Sequence, residues 1–440
     1  MISLAPTTCC FDGPCARMCG IAFAIGFLLV ATDASTQDAP TADAKPASGG
    51  TLSIATWGGA YGRSQDIAYF QPFTQKAGVK IVTEAYDGTL AAIKDKIGGS
   101  SSPFDVVDLS QAALDALCHD GKLETLDSSM LTAPSGAASV TDDFLAGGIT
   151  SCGIASVAWS TAIAFDRQAF TKAQPSKIAD LLDVQRFPGK RALPNGPRYT
   201  LELALLADGV DSADIYHQLA TPEGIDRAFK ALDMIKAQIL WWDKPEDAIS
   251  LLMQRKASMA AGYSGRIFRA AITARQRVDV LWDGQIYDLD LWAIPKAAAN
   301  KDDAKRFIAF ATEPAQMAAQ AELIAYGPMR KSAIALVGKH PSIDIDMKEY
   351  LPTAPDNFRK ALKFDAAWWN EHGAELATRF QTWRDQPVAV DTKPSPADAK
   401  SKPAAAESKS KPGAGNKPST ADTKSAAPDG ETGSVPDQPQ

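Results

Sequence analysis

Residues 51–62 read TLSIATWGGAYG, an extended segment that ends at a glycine-rich turn. The next segment has Ile67, Phe70 and Phe73 on one helical stripe, and further strands are predicted at 79–85 and 104–109 with a second helical pattern between them. The order is therefore β-α-β-α-β, which predicts an α/β fold with a largely parallel sheet.

A long extended run, IASVAWSTAIAF at residues 154–165, exceeds the usual length of one strand. Such a strand could leave one sheet and enter another, which makes it a hinge candidate. A second α/β set is predicted beyond it, with strands ending at Leu193 and at residues 239–242 and 257–261. A further extended run follows at 286–294. We therefore expect two lobes.

The two ends of the chain differ in composition from its body. Arg17 precedes an apolar run at residues 19–31 and then small residues that suit signal-peptidase cleavage, although a retained membrane anchor is an alternative. Residues 37–50 and 391–440 contain too few large apolar side chains to form a core.

These patterns predict the following organisation. A signal peptide covers 1–34 and a disordered linker covers 35–50. Lobe 1 comprises 51–157 and 287–330, and lobe 2 comprises 158–286 and 331–388 with the C-terminal helices. A disordered tail rich in Lys, Pro, Ala and Ser covers 389–440. Within lobe 2, residues 355–385 have helical spacing around a break near Gly373.

The predicted export determines how the cysteines are interpreted. Four of the six cysteines lie in or before the apolar run, which leaves Cys118 and Cys152 in the mature chain. A lone pair in an oxidising compartment is a disulfide candidate, and two separate buried thiols are the alternative.

Motifs of enzymes and of nucleic-acid binding are missing from the chain. Residues 262–266, GYSGR, resemble a nucleophile elbow but lack the glycine two places after the serine. The four histidines have no metal-ligand spacing, and the net charge of −7 comes with no clustered basic face. We therefore expect no catalysis, no cofactor, no metal and no nucleic-acid partner.

Aromatic and polar side chains follow several of the predicted strands. In open α/β sheets ligands bind at the carboxyl ends of strands, and small-solute pockets are lined by aromatic residues with a few polar anchors. Each residue taken alone is more often part of the core, and it is their shared location at the carboxyl ends of strands that favours a site. The candidates of this kind are Trp57, Tyr61, Ser110, Trp241 and Tyr326.

Four stretches carry a family resemblance: DGQIYDLDLWAIP at 283–295, KRFI at 305–308, ELIAYGP at 322–328 and FPGK at 187–190. In these stretches and their order the chain resembles periplasmic solute-binding proteins of ABC importers, in particular the spermidine/putrescine-binding group. The resemblance implies the type II periplasmic binding protein fold, in which two α/β lobes joined by hinge strands enclose a ligand cleft.

The resemblance also implies which side chains meet the solute. Trp57, Tyr61, Ser110 and Tyr326 match cleft residues of the group, and Asp290 matches the hinge-strand carboxylate that holds an amine.

The chain departs from the group at two places. Residues 195–199, NGPRY, stand where polyamine binders carry acids, and Asp288 stands where a tryptophan is expected. We therefore expect a smaller amine, or an amine that also bears a carboxylate such as an opine or amino-acid derivative, held by Asp290 and Arg198 beside Tyr199.

The sequence thus predicts an extracytoplasmic, monomeric receptor in the periplasm that delivers a small amine-containing solute to an ABC permease in the inner membrane. Two alternatives remain open. A sensory binding protein for a chemoreceptor or kinase would share these residues, and a periplasmic transferase on the same fold would need a nucleophile and a base in the cleft.

Overall fold

A computed structural model of the protein describes residues 50–387 except 135, 137, 138 and 276. The predicted signal peptide, almost all of the predicted linker and the predicted tail lie outside these residues. The strands are β1 (Thr51–Thr56), β2 (Lys80–Ala85), β3 (Val106–Ser110), β4 (Ile154–Asp166), β5 (Arg191–Pro194), β6 (Ile239–Trp242), β7 (Met259–Tyr263), β8 (Val278–Ala293) and β9 (Leu362–Lys363).

Helices cover the sheet between these strands. They are α1 (Gly59–Gln65), α2 (Gln71–Ala77), α3 (Leu90–Ile97), α4 (Gln111–His119), α5 (Val140–Asp143), α6 (Thr200–Ala207), α7 (Ile215–Leu219), α8 (Pro222–Asp233), α9 (Pro245–Met253), α10 (Ser264–Thr273), α11 (Lys301–Ala311), α12 (Pro314–Leu323), α13 (Lys331–Leu336), α14 (Pro355–Phe358) and α15 (Ala366–Asp385). In the described part of the chain no helix combines the length and the apolar character of a membrane span.

The strands form one mixed sheet in the order β2-β1-β3-β8-β4-β7-β5-β6, with β9 beside β8. At one end β1 pairs in parallel with β2 and β3, and at the other end β5 pairs in parallel with β6 and β7. The contacts of β8 with β3 and of β4 with β7 are antiparallel. The prediction of a largely parallel sheet therefore holds within each set of strands but not where the sets join.

The two long strands β4 and β8 make that join. They pair with each other in antiparallel fashion from Ile154 opposite Trp292 to Asp166 opposite Val278. Every residue of β4 is buried, as expected of a strand covered on both faces. As expected for residues 154–165, β4 begins in one set of strands and ends in the other, and its role as a hinge stays a prediction.

Among the clusters that the buried apolar residues form, the two largest lie mainly on opposite sides of this join, and Trp57 and Tyr61 from the β1 side belong to the second. Around β1 and β3 the core contains Leu52, Ile54, Val106, Trp292 and Phe307. Beyond the crossing strands it contains Phe187, Leu193, Leu203, Met259 and Trp369. Two cores agree with two lobes, and the residue boundaries given above for the lobes stay predictions.

Two local expectations were wrong. Ile67 is 55% exposed, whereas Phe70 and Phe73 are buried, because a π-helical turn at Asp66–Phe70 lies between α1 and α2 and changes which side chains share a face. The break expected near Gly373 is absent from the described structure, since α15 continues through that residue. The loss of helix propensity at one glycine is small beside the packing of Trp369, Leu376 and Phe380.

The disulfide prediction is confirmed. Cys118 in the last turn of α4 is bonded to Cys152 just before β4, with the two Cα atoms 6.0 Å apart. The bond therefore ties a helix of the first lobe to the segment that enters the crossing strand.

Candidate solute-binding cleft

The carboxyl end of β1 leads into an aromatic wall. Trp57 follows the strand directly, and Gly58 has a φ of 72°, a conformation that glycine adopts at little cost. The ring of Trp57 packs against Tyr86 with ring centroids 5.5 Å apart. It also covers Gly88 so closely that a Cβ atom there would lie 1.4 Å from the ring. The glycine at position 88 thus lets the indole ring of Trp57 pack directly against the backbone.

A cleft of about 940 Å³ lies in front of this wall. One side comes from residues after β1 and β2, the other from α9 and α10, and the segment after α12 completes it. The structure brings three of the predicted site residues together here, since Trp57, Tyr61 and Tyr326 all line the cleft. The rings of Tyr61 and Tyr326 lie 5.6 Å apart. A space of this size and lining is typical of small-solute sites.

A buried carboxylate that we did not predict lies beneath the wall. Asp108 of β3 accepts hydrogen bonds from the Tyr61 hydroxyl at 2.9 Å and from Gln65 Nε2 at 2.6 Å. The backbone oxygen of Asp108 accepts one from the Tyr86 hydroxyl at 2.5 Å. Burial raises the pKa of Asp108 to about 7, although its hydrogen bonds act in the opposite direction. One residue therefore orients two tyrosines of the cleft.

Asp290 lies on β8 beside Ser110 and is fully buried. Its Oδ1 accepts a hydrogen bond from Trp159 Nε1 at 3.3 Å. Burial, followed by the charges of Asp108 and Asp290, raises the pKa of Tyr61 well above its usual range. Burial and then the charge of Asp290 raise the pKa of Tyr326 as well. Both hydroxyls therefore stay neutral at physiological pH, next to a carboxylate beneath the cleft.

Five predicted site residues are not among the described residues that line the cleft. One of them is Asp290, which is buried beneath the cleft. Ser110 is the N-cap of α4, and its hydroxyl accepts from Ala113 N. Trp241 packs on Phe380 with ring centroids 5.3 Å apart. Their roles in binding a solute stay predictions.

The other two, Arg198 and Tyr199, precede α6 and meet an aromatic cluster. The Arg198 guanidinium lies 5.6 Å from the ring centre of Phe364 and 5.9 Å from that of Trp369. The ring of Tyr199 lies 4.9 Å from Phe364. Whether either side chain meets the solute stays a prediction as well.

Charged side chains that we did not single out as site residues also line the cleft. Arg266 and Arg269 come from α10, Glu246 from α9, and Asp87 from the turn after β2. The rule that selected Trp57 could have found Arg266, because α10 starts at the carboxyl end of β7. Asp108 left a weaker signal, a carboxylate inside an otherwise apolar strand. Among the residues described, no group of three or more His, Cys, Asp or Glu side chains could hold a metal ion.

Comparison with known proteins agrees with this architecture. The family model for bacterial extracellular solute-binding proteins matches residues 68–352, more than half of the chain. The γ-aminobutyric acid (GABA)-binding protein of Pseudomonas aeruginosa is 38% identical over 333 residues, which cover 76% of this chain and 90% of the relative. The spermidine/putrescine-binding periplasmic protein of Escherichia coli is 23% identical over 309 residues, 69% of this chain and 83% of the relative.

A solved GABA receptor is similar in three dimensions, with a TM-score of 0.61 and 27% identity over 77% of this chain and 98% of the receptor. Each of these relatives is a binding protein, as the sequence led us to expect of this chain. The two lobes, the crossing strands and the cleft are those of a type II periplasmic binding protein, and the chain belongs to the bacterial extracellular solute-binding protein family.

Proposed function

We propose that this protein is the extracytoplasmic receptor of an ABC importer and that its solute carries both a primary amine and a carboxylate. The observation that carries the proposal is the cleft lined by Trp57, Tyr61 and Tyr326 next to the buried carboxylate of Asp290. The size of the cleft suits a solute of a few carbon atoms together with bound water.

The amine end fits the chemistry around Asp290. An ammonium group can donate a charge-assisted hydrogen bond to a carboxylate and is attracted to the faces of aromatic rings. Tyr61 and Tyr326 supply such rings, and their neutral hydroxyls add polar contacts without a competing charge. A negative charge buried under an aromatic lining favours a cationic group over a neutral one.

The carboxylate end is supported by the relatives and by the sequence. A GABA-binding protein shares 38% identity with this chain, whereas the spermidine/putrescine-binding protein shares 23%. Residues 195–199 also bring Arg198 where we expected polyamine binders to carry acids. An amino acid with separated charges therefore suits this chain better than a polyamine does.

The same proposal covers compartment and partners. The apolar run at residues 19–31 supports export to the periplasm, and family membership supports delivery of the solute to an inner-membrane permease. We propose that the receptor acts as a monomer and without catalysis, as its relatives' names describe binding alone.

Calorimetric titration of the purified chain tests the proposal. We expect 4-aminobutyrate or a close ω-amino acid to bind at one site per chain with a Kd of about 10 μM or tighter. Putrescine, spermidine and a neutral sugar serve as comparison solutes. Binding of a polyamine or a sugar in preference to every amino acid tested would overturn the proposal.

A further inference from the structure

Two arginines on α10, Arg266 and Arg269, line the same cleft as Trp57 and Tyr61. Arg266 is the more enclosed, with a side chain that is 21% exposed, whereas Arg269 is an exposed residue. Burial and the charge of Asp290 raise the pKa of the cleft residue Tyr326, and the charges of Arg266 and Arg269 both act in the opposite direction. Arg266 therefore places a positive charge close to the aromatic lining.

Two buried N–H groups of this cleft have no acceptor within the part of the chain that the structure describes. They are Nε of Arg266 and Nε1 of Trp57. The ion pair of Arg266 with Glu246 is loose, with 3.8 Å between nitrogen and oxygen and a glutamate side chain that is 58% exposed. Buried donors without an acceptor are unfavourable, so both groups favour a ligand that accepts hydrogen bonds.

The chemistry of the donors decides which end of the solute they suit. An ammonium group offers protons and no lone pair, so it satisfies neither N–H and is repelled by the guanidinium. A carboxylate offers two oxygens that accept several hydrogen bonds, and it pairs well with the planar guanidinium. Trp57 and Arg266 approach the cleft from the β1 side and from α10, so one anionic group between these walls could meet both.

We propose that Arg266, together with the indole N–H of Trp57, forms an anion subsite that takes the carboxylate of the solute and selects amino acids over simple amines. This inference rests on the proposed function. It assigns the carboxylate to α10 of the cleft wall, whereas Arg198 lies over the rings of Phe364 and Trp369.

The test compares two solutes that differ at one end. Butylamine is 4-aminobutyrate with a methyl group in place of the carboxylate, so the ratio of their affinities measures recognition of the carboxylate. Calorimetric titration gives this ratio for the wild type and for Arg266→Gln, Arg227→Gln and Arg198→Gln. Arg227→Gln is the matched control, because it removes the same charge from α8, and Arg227 is not among the residues that line the cleft.

We expect Arg266→Gln to lower the affinity for 4-aminobutyrate about 10- to 100-fold and to leave butylamine binding unchanged or tighter. Arg266→Lys, which keeps the charge but loses the planar fork, should fall between wild type and Arg266→Gln. Arg227→Gln should change the ratio by less than about 3-fold, since Arg227 is exposed and lies outside the cleft lining. The unfolding temperature of each unliganded variant confirms that the fold is intact.

Two results overturn the inference. If Arg198→Gln abolishes the preference for 4-aminobutyrate while both Arg266 variants keep it, the carboxylate lies at Arg198 and the proposed function survives alone. If the wild type prefers butylamine or binds neither solute, the proposed function fails together with the subsite.

Discussion

Two buried carboxylates lie close to the same aromatic lining, and their surroundings give them different tasks. Asp108 is engaged by Tyr61 and Gln65 from α1 and by Ser156 from β4. Its oxygens are therefore occupied by groups of the protein itself. Asp290 lies on the strand that joins the lobes, where the resemblance to polyamine-binding proteins also placed an amine-binding acid. We assign Asp290 to the amine and Asp108 to the orientation of Tyr61.

At Asp290, replacement by Asn should remove the counter-ion of the buried ammonium group. We expect an affinity loss for 4-aminobutyrate of on the order of 2 to 5 kcal/mol, measured by calorimetric titration. Asp105→Asn is a suitable control, because Asp105 is a buried carboxylate outside the cleft lining. It accepts hydrogen bonds from the backbone N–H groups of Ser53 and Asn300. A lowered unfolding temperature for Asp290→Asn with undiminished affinity would instead show a structural role.

At Asp108, the sign of the pH dependence follows from its raised pKa. A carboxyl group whose pKa is higher in the folded than in the unfolded chain stabilises the fold at low pH, and this stabilisation is lost as pH rises through about 7. An amide side chain at this position would not titrate. The free energy of unfolding of Asp108→Asn relative to wild type should therefore increase by on the order of 4 kcal/mol between about pH 4 and pH 8.

Urea unfolding at several pH values measures this difference. Other buried acids such as Glu202, whose pKa burial also raises, contribute equally to both proteins and cancel. If the stability curves of Asp108→Asn and wild type run parallel across this pH range, Asp108 is ionised throughout and our account of its environment is wrong.

At the scale of elements, the disulfide anchors the start of the crossing strand β4 to α4. It closes a loop with a sequence separation of 34 residues. Replacing both Cys118 and Cys152 by Ser should lower the free energy of unfolding by roughly 2 to 4 kcal/mol, measured by urea unfolding. Affinity should not change, because neither residue is among those that line the cleft. Two reactive thiols in the denatured, unreduced wild type would contradict the bond.

Strands and helices could be predicted where the sequence pattern lies within a single element. The alternation at residues 51–56 and the long extended run at 154–165 predicted β1 and β4 nearly to their ends, because each pattern lies within a single strand. The direction in which β4 and β8 pair was not predictable, because it depends on partners more than a hundred residues apart. The turn at Asp66–Phe70 was missed for a related reason, as a π-helical turn leaves no spacing signature of its own.

The same difference between local patterns and long-range packing explains which residues of the candidate site could be predicted. Trp57, Tyr61 and Tyr326 could be predicted because each follows or closes an element near a strand end. Asp108 carries no such mark, and its importance comes from Tyr61 and Gln65, which packing brings to it from α1. Residues 262–266, which include Arg266, were compared only with the nucleophile elbow of hydrolases. The position of α10 in the structure shows that Arg266 lines the cleft.

At the scale of the whole molecule, residues from both sides of the crossing strands build the cleft. Trp57 and Tyr61 approach it from the set of strands around β1, and Arg266 approaches it from α10 on the other side. A solute with two charged ends can therefore contact both lobes at once. Closure around the solute would then depend on β4 and β8, the strands that both lobes share.

The described residues that line the cleft lie between Trp57 and Tyr326, and we expect the C-terminal tail to be dispensable for binding. Residues 391–440 lie outside the described structure, and their composition offers few apolar side chains for a pocket wall. Deleting them should change the Kd for the solute by less than about 2-fold in calorimetry. A tenfold loss would show that the tail takes part in the site.

In our proposal one cleft holds one solute, with an amine at one end and a carboxylate at the other. Native mass spectrometry of the protein purified from its native host tests this proposal, because tightly held solutes survive gentle purification. We predict one solute per chain, released on unfolding, whose fragments reveal a primary amine and a carboxylate. A retained polyamine, sugar or other solute lacking either group would contradict the account.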